Sequence, residues 1–231
     1  MLGTGQVGQL SESQFCDLCS FIAPVRRRVG GWLGRHGFPA MRSRLERLLD
    51  GWSDTTSVDR RIAAFVGSFP ADREHRWARD LAAEVLHFSA PERYPLMTRW
   101  MWDARTNTGV LREIWYAEDV DQVTIAANHD FATFATLRDE LTGFLRDNGV
   151  FRDLPFYADL LCAHAYAFYI NGRGGRYLST EFGAKHDPIA HTRRLLGLDA
   201  VASDEGRVRL KLIDGTAHEL GEIPRLASAR S

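Results

Sequence analysis

The chain has 231 residues, of which 45% are hydrophobic and 26% charged. These proportions are close to the averages of soluble globular proteins and exclude an intrinsically disordered chain. The length suits one folded domain, with room for a small appendage. The formal net charge of −1 excludes a general attraction to nucleic acid or to an anionic membrane.

Gly3, Gly5 and Gly8 stand among polar residues at the start of the chain, and we predict a flexible tail over residues 1–10. Their spacing matches the G-x-G-x-x-G pattern of dinucleotide-binding proteins. That pattern needs a strand before its first glycine and a helix after its last one, and only two residues precede Gly3. We therefore predict no cofactor.

Helical periodicity dominates residues 11–200, and we predict one helical domain over this range. In its first part, apolar residues recur at intervals of three and four in four segments, which indicates amphipathic helices. The four segments begin near Ser11, Phe38, Ser57 and Asp72. Ser11 and Gln14 have the spacing of a capping box, and Pro24 is expected to kink or divide the first helix.

The second part of the helical domain contains the most apolar segment of the chain. A helix is predicted over residues 131–148, with Gly149 as its stop. Residues 155–170 are apolar on nearly every side, so we predict that they form the central buried helix around which the others pack. A last helix is predicted over residues 188–196, with Asp187 as its N-cap.

Residues 201–231 differ from the helical domain in the periodicity of their apolar residues. Residues 208–213 and 216–220 alternate apolar and polar side chains on either side of the Asp-Gly dipeptide at 214–215, which is typical of a tight hairpin turn. The predicted fold class is therefore mainly α: a multi-helix globular domain around a central buried helix, with a short C-terminal β-hairpin and a C-terminal tail.

No basic stretch followed by an apolar stretch opens the sequence, so we expect no signal peptide. No apolar run is long enough to span a membrane. The cysteines, Cys16, Cys19 and Cys162, are odd in number, which favours free thiols in a reducing compartment. We expect a soluble, cytoplasmic protein without membrane association.

The same cysteines are the candidate metal ligands. Cys16 and Cys19 form a C-x-x-C pair, and Cys162 stands two residues before His164; thiolate and imidazole suit zinc or an iron–sulfur cluster. However, Cys16 and Cys19 fall in the apolar stripe of a predicted helix, where cysteine behaves as a small apolar residue. The pattern favours packing, and we predict no metal.

Candidate catalytic residues lie in two predicted helices and one irregular segment. Asp159 and His164 fall in the segment predicted to be most buried, where each needs a polar partner. Glu84 and His87 form a single E-x-x-H, without the second copy that a di-iron bundle needs. A core polar network is one interpretation. An enzyme or small-ligand pocket is the other, and it requires Asp159, His164, His87 and Asp103 to converge.

Residues 93–103 combine aromatic residues with arginines in an irregular segment, which is typical of contact hot spots. The candidate binding residues are Arg93, Tyr94, Arg99, Trp100 and Trp102. The alternative is that Trp100 and Trp102 fill the gap between layers of helices.

Nucleic-acid binding is a third possibility. Arginines are frequent between residues 26 and 47, but nearby acids dilute them. The stretch LHFSAPERYPL at residues 86–96 resembles a helix-to-proline-turn segment of helical bacterial proteins, some of which have been compared with helix-hairpin-helix DNA glycosylases. The resemblance implies a helical nucleic-acid-binding protein, although no hairpin motif with a catalytic lysine beside it is present.

No complete catalytic constellation is found in the sequence. We therefore predict a non-catalytic accessory or adaptor protein that acts through protein–protein contacts. The alternatives are the enzyme or small-ligand pocket around Asp159 and His164, and the DNA-glycosylase-like nucleic-acid binder.

Overall fold

A computed structural model describes residues 6–115, 124–172, 187–200, 207–211 and 216–219. Within these residues the chain is mainly α, with a two-stranded antiparallel sheet after the last helix. The helices are α1 (Glu12–Ser20), α2 (Ala23–Arg26), α3 (Val29–His36), α4 (Phe38–Leu49), α5 (Val58–Gly67), α6 (Trp77–Ser89), α7 (Val110–Ile114), α8 (Phe131–Asp147), α9 (Leu154–Gly172) and α10 (Pro188–Leu195). The strands are β1 (Arg207–Lys211) and β2 (Ala217–Glu219). The predicted fold class is confirmed.

Local signals in the sequence fix several helix ends. Ser11 and Gln14 form the predicted capping box, with reciprocal hydrogen bonds of 3.1 and 3.0 Å between side chain and backbone. Asp187 caps α10 as predicted, since its carboxylate accepts a hydrogen bond from the Ile189 amide. Pro24 lies in the first turn of α2, so the first predicted helix is divided into α1, α2 and α3.

The predicted tail over residues 1–10 is wrong for its second half. Residues Gln6–Gln9 form a short 3-10 turn that packs against α4. Val7 and Leu10 are buried in the hydrophobic core, which offsets the entropy of ordering these residues. Residues 1–5 lie outside the described residues.

The central buried helix is α6, not residues 155–170. Every residue of α6 from Trp77 to His87 except Arg79 is buried, and the helix packs against α2, α4 and α5. By contrast α9, which contains residues 155–170, packs against α7, α8 and α10 but leaves one side exposed. A helix that is apolar on every side is expected to be packed on every side. The sequence pattern does not show whether the same chain or another protein packs against it.

The hairpin predicted at the C-terminal end is present, and it packs against α1. Leu210 on β1 is fully buried. The His218 Nε2 atom on β2 lies 2.7 Å from an Asp17 carboxylate oxygen on α1. The predicted turn at 214–215 lies outside the described residues. None of the helices in the described ranges is long and apolar enough to cross a membrane.

One close backbone approach provides a test of the packing between α7 and the preceding segment. A Cβ atom at Gly109 would lie 2.7 Å from the Met101 carbonyl oxygen, and Gly109 has a φ of 132°. Gly149, which ends α8 with a φ of 86°, has no atom within 4 Å of its Cβ position. The two glycines therefore share a positive φ and differ in the space around them.

We expect Gly109→Ala to lower the free energy of unfolding by at least about 1 kcal/mol more than Gly149→Ala, because only the first change adds a steric clash to the strain of a positive φ. Urea unfolding followed by circular dichroism measures both variants. Equal losses would show that the backbone of residues 101–102 does not approach Gly109 closely.

Candidate functional site

A row of acidic and imidazole side chains runs along one side of α6. Asp80, Glu84 and His87 are spaced by four and three residues, so they lie on the same face of the helix. All three are buried. Because a buried charge is costly without a partner, the structure around this face is built to supply partners.

Arg99 supplies the partner of Asp80. Its guanidinium donates hydrogen bonds of 2.6 and 3.0 Å to one carboxylate oxygen of Asp80, and its backbone amide donates one of 3.1 Å to the other. Arg99 was predicted to contact a binding partner. Instead it fastens its own segment to α6, and 30% of its side chain remains exposed.

His87 is held between the backbone and α9. Its Nδ1 atom lies 2.8 Å from the Tyr94 carbonyl oxygen, so Nδ1–H donates to that oxygen. Its Nε2 atom lies 3.0 Å from an Asp159 carboxylate oxygen. This contact links α6 to α9.

Glu84 lies between these two pairs on the face of α6. Burial, followed by the negative charges of Asp80 and Asp159, raises the pKa of Glu84 well above its ordinary value. The protonated form of Glu84 is therefore favoured relative to a solvent-exposed glutamate. We refer to Asp80, Glu84, His87, Arg99 and Asp159 as the α6 polar cluster.

The structure brings together only part of the predicted catalytic set. His87 and Asp159 meet, as the hypothesis of a pocket required. His164 is exposed on α9, so its predicted burial is wrong; it follows Asp159 by five residues, which places it on another side of the helix. Asp103 lies in a turn, where its carboxylate accepts a hydrogen bond from the Arg105 amide. Four of the five members of the α6 polar cluster are buried, all except Arg99, which fits helix packing better than contact with a substrate.

The three cysteines are buried and free. Burial is the main cause that raises the pKa of Cys16 to about 11, and it also raises the pKa values of Cys19 and Cys162. The thiols are therefore protonated, whereas metal ions bind the thiolate form. In the described ranges, His, Cys, Asp and Glu side chains form no group of three or more that could hold a metal ion.

Two of the three aromatic residues of the segment 93–103 fill the core. Tyr94 and Trp102 are fully buried. The Tyr94 hydroxyl donates to the Trp52 carbonyl oxygen and accepts from Arg61, and the Trp102 indole donates to the Ala127 carbonyl oxygen. Their predicted role in partner binding is therefore replaced by the packing role that was the alternative.

The two other members of the predicted binding set keep some exposure. Arg93 is exposed, and its guanidinium lies over the Trp52 ring and donates to the Ser53 carbonyl oxygen. Trp100 is partly exposed, and its ring centroid lies 6.2 Å from that of Tyr166.

Helix α9 carries an exposed apolar surface that was not predicted from the sequence. Phe156, Tyr157, Leu160 and Phe168 on α9 are exposed to 47, 47, 44 and 67%. Phe156, Leu160, His164 and Phe168 follow one another at intervals of four residues, so they form a continuous stripe. We refer to these five residues as the α9 face. The signal that could have identified it is the absence of a polar side on this helix.

Comparisons with known protein families, with curated proteins and with solved structures find no match to this chain. The function is therefore inferred from the residues themselves.

Glu84 provides a test of the α6 polar cluster. Between the ordinary carboxyl pKa near 4.5 and its higher pKa in the folded chain, Glu84 holds a proton that the unfolded chain releases. Stability contributed by this residue therefore falls as pH rises through that window. Glutamine remains neutral at all pH values and lacks this loss.

We expect Glu84→Gln to raise the free energy of unfolding relative to the wild type at about pH 8, and the gain to shrink at about pH 5. Urea unfolding at the two pH values measures it, with Glu140→Gln on the exposed side of α8 as the matched control. A gain that is the same at both pH values would contradict the raised pKa of Glu84.

Proposed function

We propose that the protein is an accessory or adaptor subunit that binds another protein through the α9 face. The observation that supports this proposal is the exposure of four large apolar side chains along one helix. From Phe156 to Phe168 these residues span about 18 Å of helix.

An exposed helix side in a stable monomer normally carries polar residues. The α9 face carries aromatic and aliphatic side chains and one histidine, and α7, α8 and α10 occupy the other sides of the helix. Contiguous apolar surface of this kind marks contact sites. Phe and Tyr are suited to such a site, because each buries a large area when a partner covers it.

The proposal moves the contact surface from residues 93–103 to α9. Tyr94 and Trp102 are buried by their own chain and have no surface to offer. We place the interaction in the cytoplasm, where the reducing conditions suit the three free thiols. Of the four residues proposed for the enzyme alternative, only His87 and Asp159 are in contact, and both are buried.

A photo-reactive residue tests the proposal in the native host. We expect p-benzoylphenylalanine in place of Leu160 to form an adduct with one defined partner protein after irradiation. The matched control carries the same residue in place of Leu198, which is 59% exposed and follows Gly197 beside the Phe21 backbone. This control is expected to give no such adduct.

The partner is then purified and its affinity measured by titration calorimetry. We expect Leu160→Ser to weaken binding at least about tenfold, as for a residue at the centre of a contact hot spot, and Leu198→Ser to leave it unchanged. Adducts at Leu160 that do not exceed those at Leu198, or that contain only second copies of this chain, would overturn the adaptor proposal.

A further inference from the structure

A cleft of about 430 Å³ lies on another part of the molecule. Its walls come from α2, from the residues that lead into α6, from Arg99 and Trp100, and from α10. The volume falls within the range of roughly 300 to 1,000 Å³ that small-molecule sites occupy.

Positive charge is concentrated in this cleft. Seven arginines line it, against two acids, Glu74 and Asp80. The chain as a whole has a formal net charge of −1, so the excess is local. A cleft with walls of one charge focuses the electric field and raises the local concentration of ions of the opposite sign.

Three of the seven arginines already contact acidic side chains and form a fixed wall. Arg26 is buried and makes a bidentate ion pair with Asp199, with both hydrogen bonds at 2.8 Å. Arg194 lies 3.6 Å from the same carboxylate. Arg99 is bound to Asp80. These pairs hold α2, α6 and α10 in place around the cleft.

The other four arginines stand exposed at the cleft. They are Arg27, Arg28, Arg73 and Arg76. Within the described part of the chain, none of the four makes an ion pair with an acidic side chain. Four like charges around one cleft repel one another, and a bound anion would relieve that repulsion.

We propose that this cleft binds a small molecule that carries two or more phosphate groups. A guanidinium group can donate two parallel hydrogen bonds to the oxygens of one phosphate group. Four exposed guanidinium groups offer more donors than a single phosphate group can accept. Trp100 adds a partly exposed aromatic wall, and its buried indole N–H has no hydrogen-bond partner among the described residues. A planar group attached to the phosphates would stack there, as in a nucleoside triphosphate.

This site is separate from the proposed α9 contact. The cleft is lined by residues of the irregular segment and of α10, among them Arg99, Trp100, His191 and Arg194. No residue of α9 lines it. The two proposals can therefore fail independently.

Titration calorimetry of the full chain tests the site with three probes: inorganic tripolyphosphate, ATP and a ten-residue poly-glutamate peptide. We expect tripolyphosphate and ATP to bind and the peptide not to bind. We expect ATP to bind more tightly than tripolyphosphate and to quench tryptophan fluorescence, and Trp100→Leu to remove that difference.

The matched variants are Arg27→Gln/Arg73→Gln and Arg146→Gln/Arg152→Gln. Both pairs remove two exposed arginines, but only the first pair lines the cleft. We expect the first to weaken binding of tripolyphosphate at least about tenfold, since each lost charged contact has a measurable effect, and the second to change it less than about twofold. Equal melting temperatures of the two variants show that both are folded.

Three results would overturn the proposal. The first is the absence of binding by both phosphate probes at millimolar concentration. The second is equal weakening in the two variants, which would indicate non-specific attraction. The third is binding of a single-stranded oligonucleotide whose affinity grows with its length while ATP does not bind, which would assign the arginines to a nucleic-acid surface.

Discussion

The ion pair between Asp80 and Arg99 organises the middle of the molecule. Asp80 lies on the most buried helix, and its carboxylate is satisfied by three hydrogen bonds from one residue of an irregular segment. Breaking such a pair would leave an uncompensated charge in the core. The segment that carries Arg99 is therefore fixed against α6, and this places Trp100 at the arginine-lined cleft and Trp102 in the core.

The same face of α6 also contacts α9. The Tyr94 carbonyl oxygen accepts from His87 Nδ1, which directs Nε2 toward Asp159 on α9. The pKa of Glu84, between the two pairs, is raised by burial and by its acidic neighbours. The polar residues of α6 thus fix the relative positions of an irregular segment and a helix, while the apolar residues around them contribute the hydrophobic free energy of the core.

The two proposed surfaces follow from what this arrangement leaves uncovered. The side of α9 away from α7, α8 and α10 is apolar and exposed, and we propose it for a protein partner. The cleft beside α6 is cationic, and we propose it for a phosphorylated small molecule. Helix α10 packs against another side of α9 and contributes His191 and Arg194 to the cleft.

Sequence patterns predicted the structural features that depend on residues close together in the chain. The capping box at Ser11, the Asp187 cap and the C-terminal hairpin are read from short spacings, and all three are present. The positions of the most buried helix and of the polar partners were wrong or missed, because they depend on residues far apart in the chain: His87 meets Asp159, not His164, and Arg26 meets Asp199. An apolar pattern shows that α9 needs cover, but a pattern cannot show which surface covers it.

A double-mutant cycle between Asp80 and Arg99 tests the organising role of this pair most directly. The free energy of unfolding is measured by urea denaturation for Asp80→Asn, for Arg99→Gln and for the double variant. We expect both single changes to destabilise the fold, and the double variant to lose at least about 1 kcal/mol less than the two single losses together. Losses that add to within about 0.5 kcal/mol would contradict a direct coupling between the two side chains.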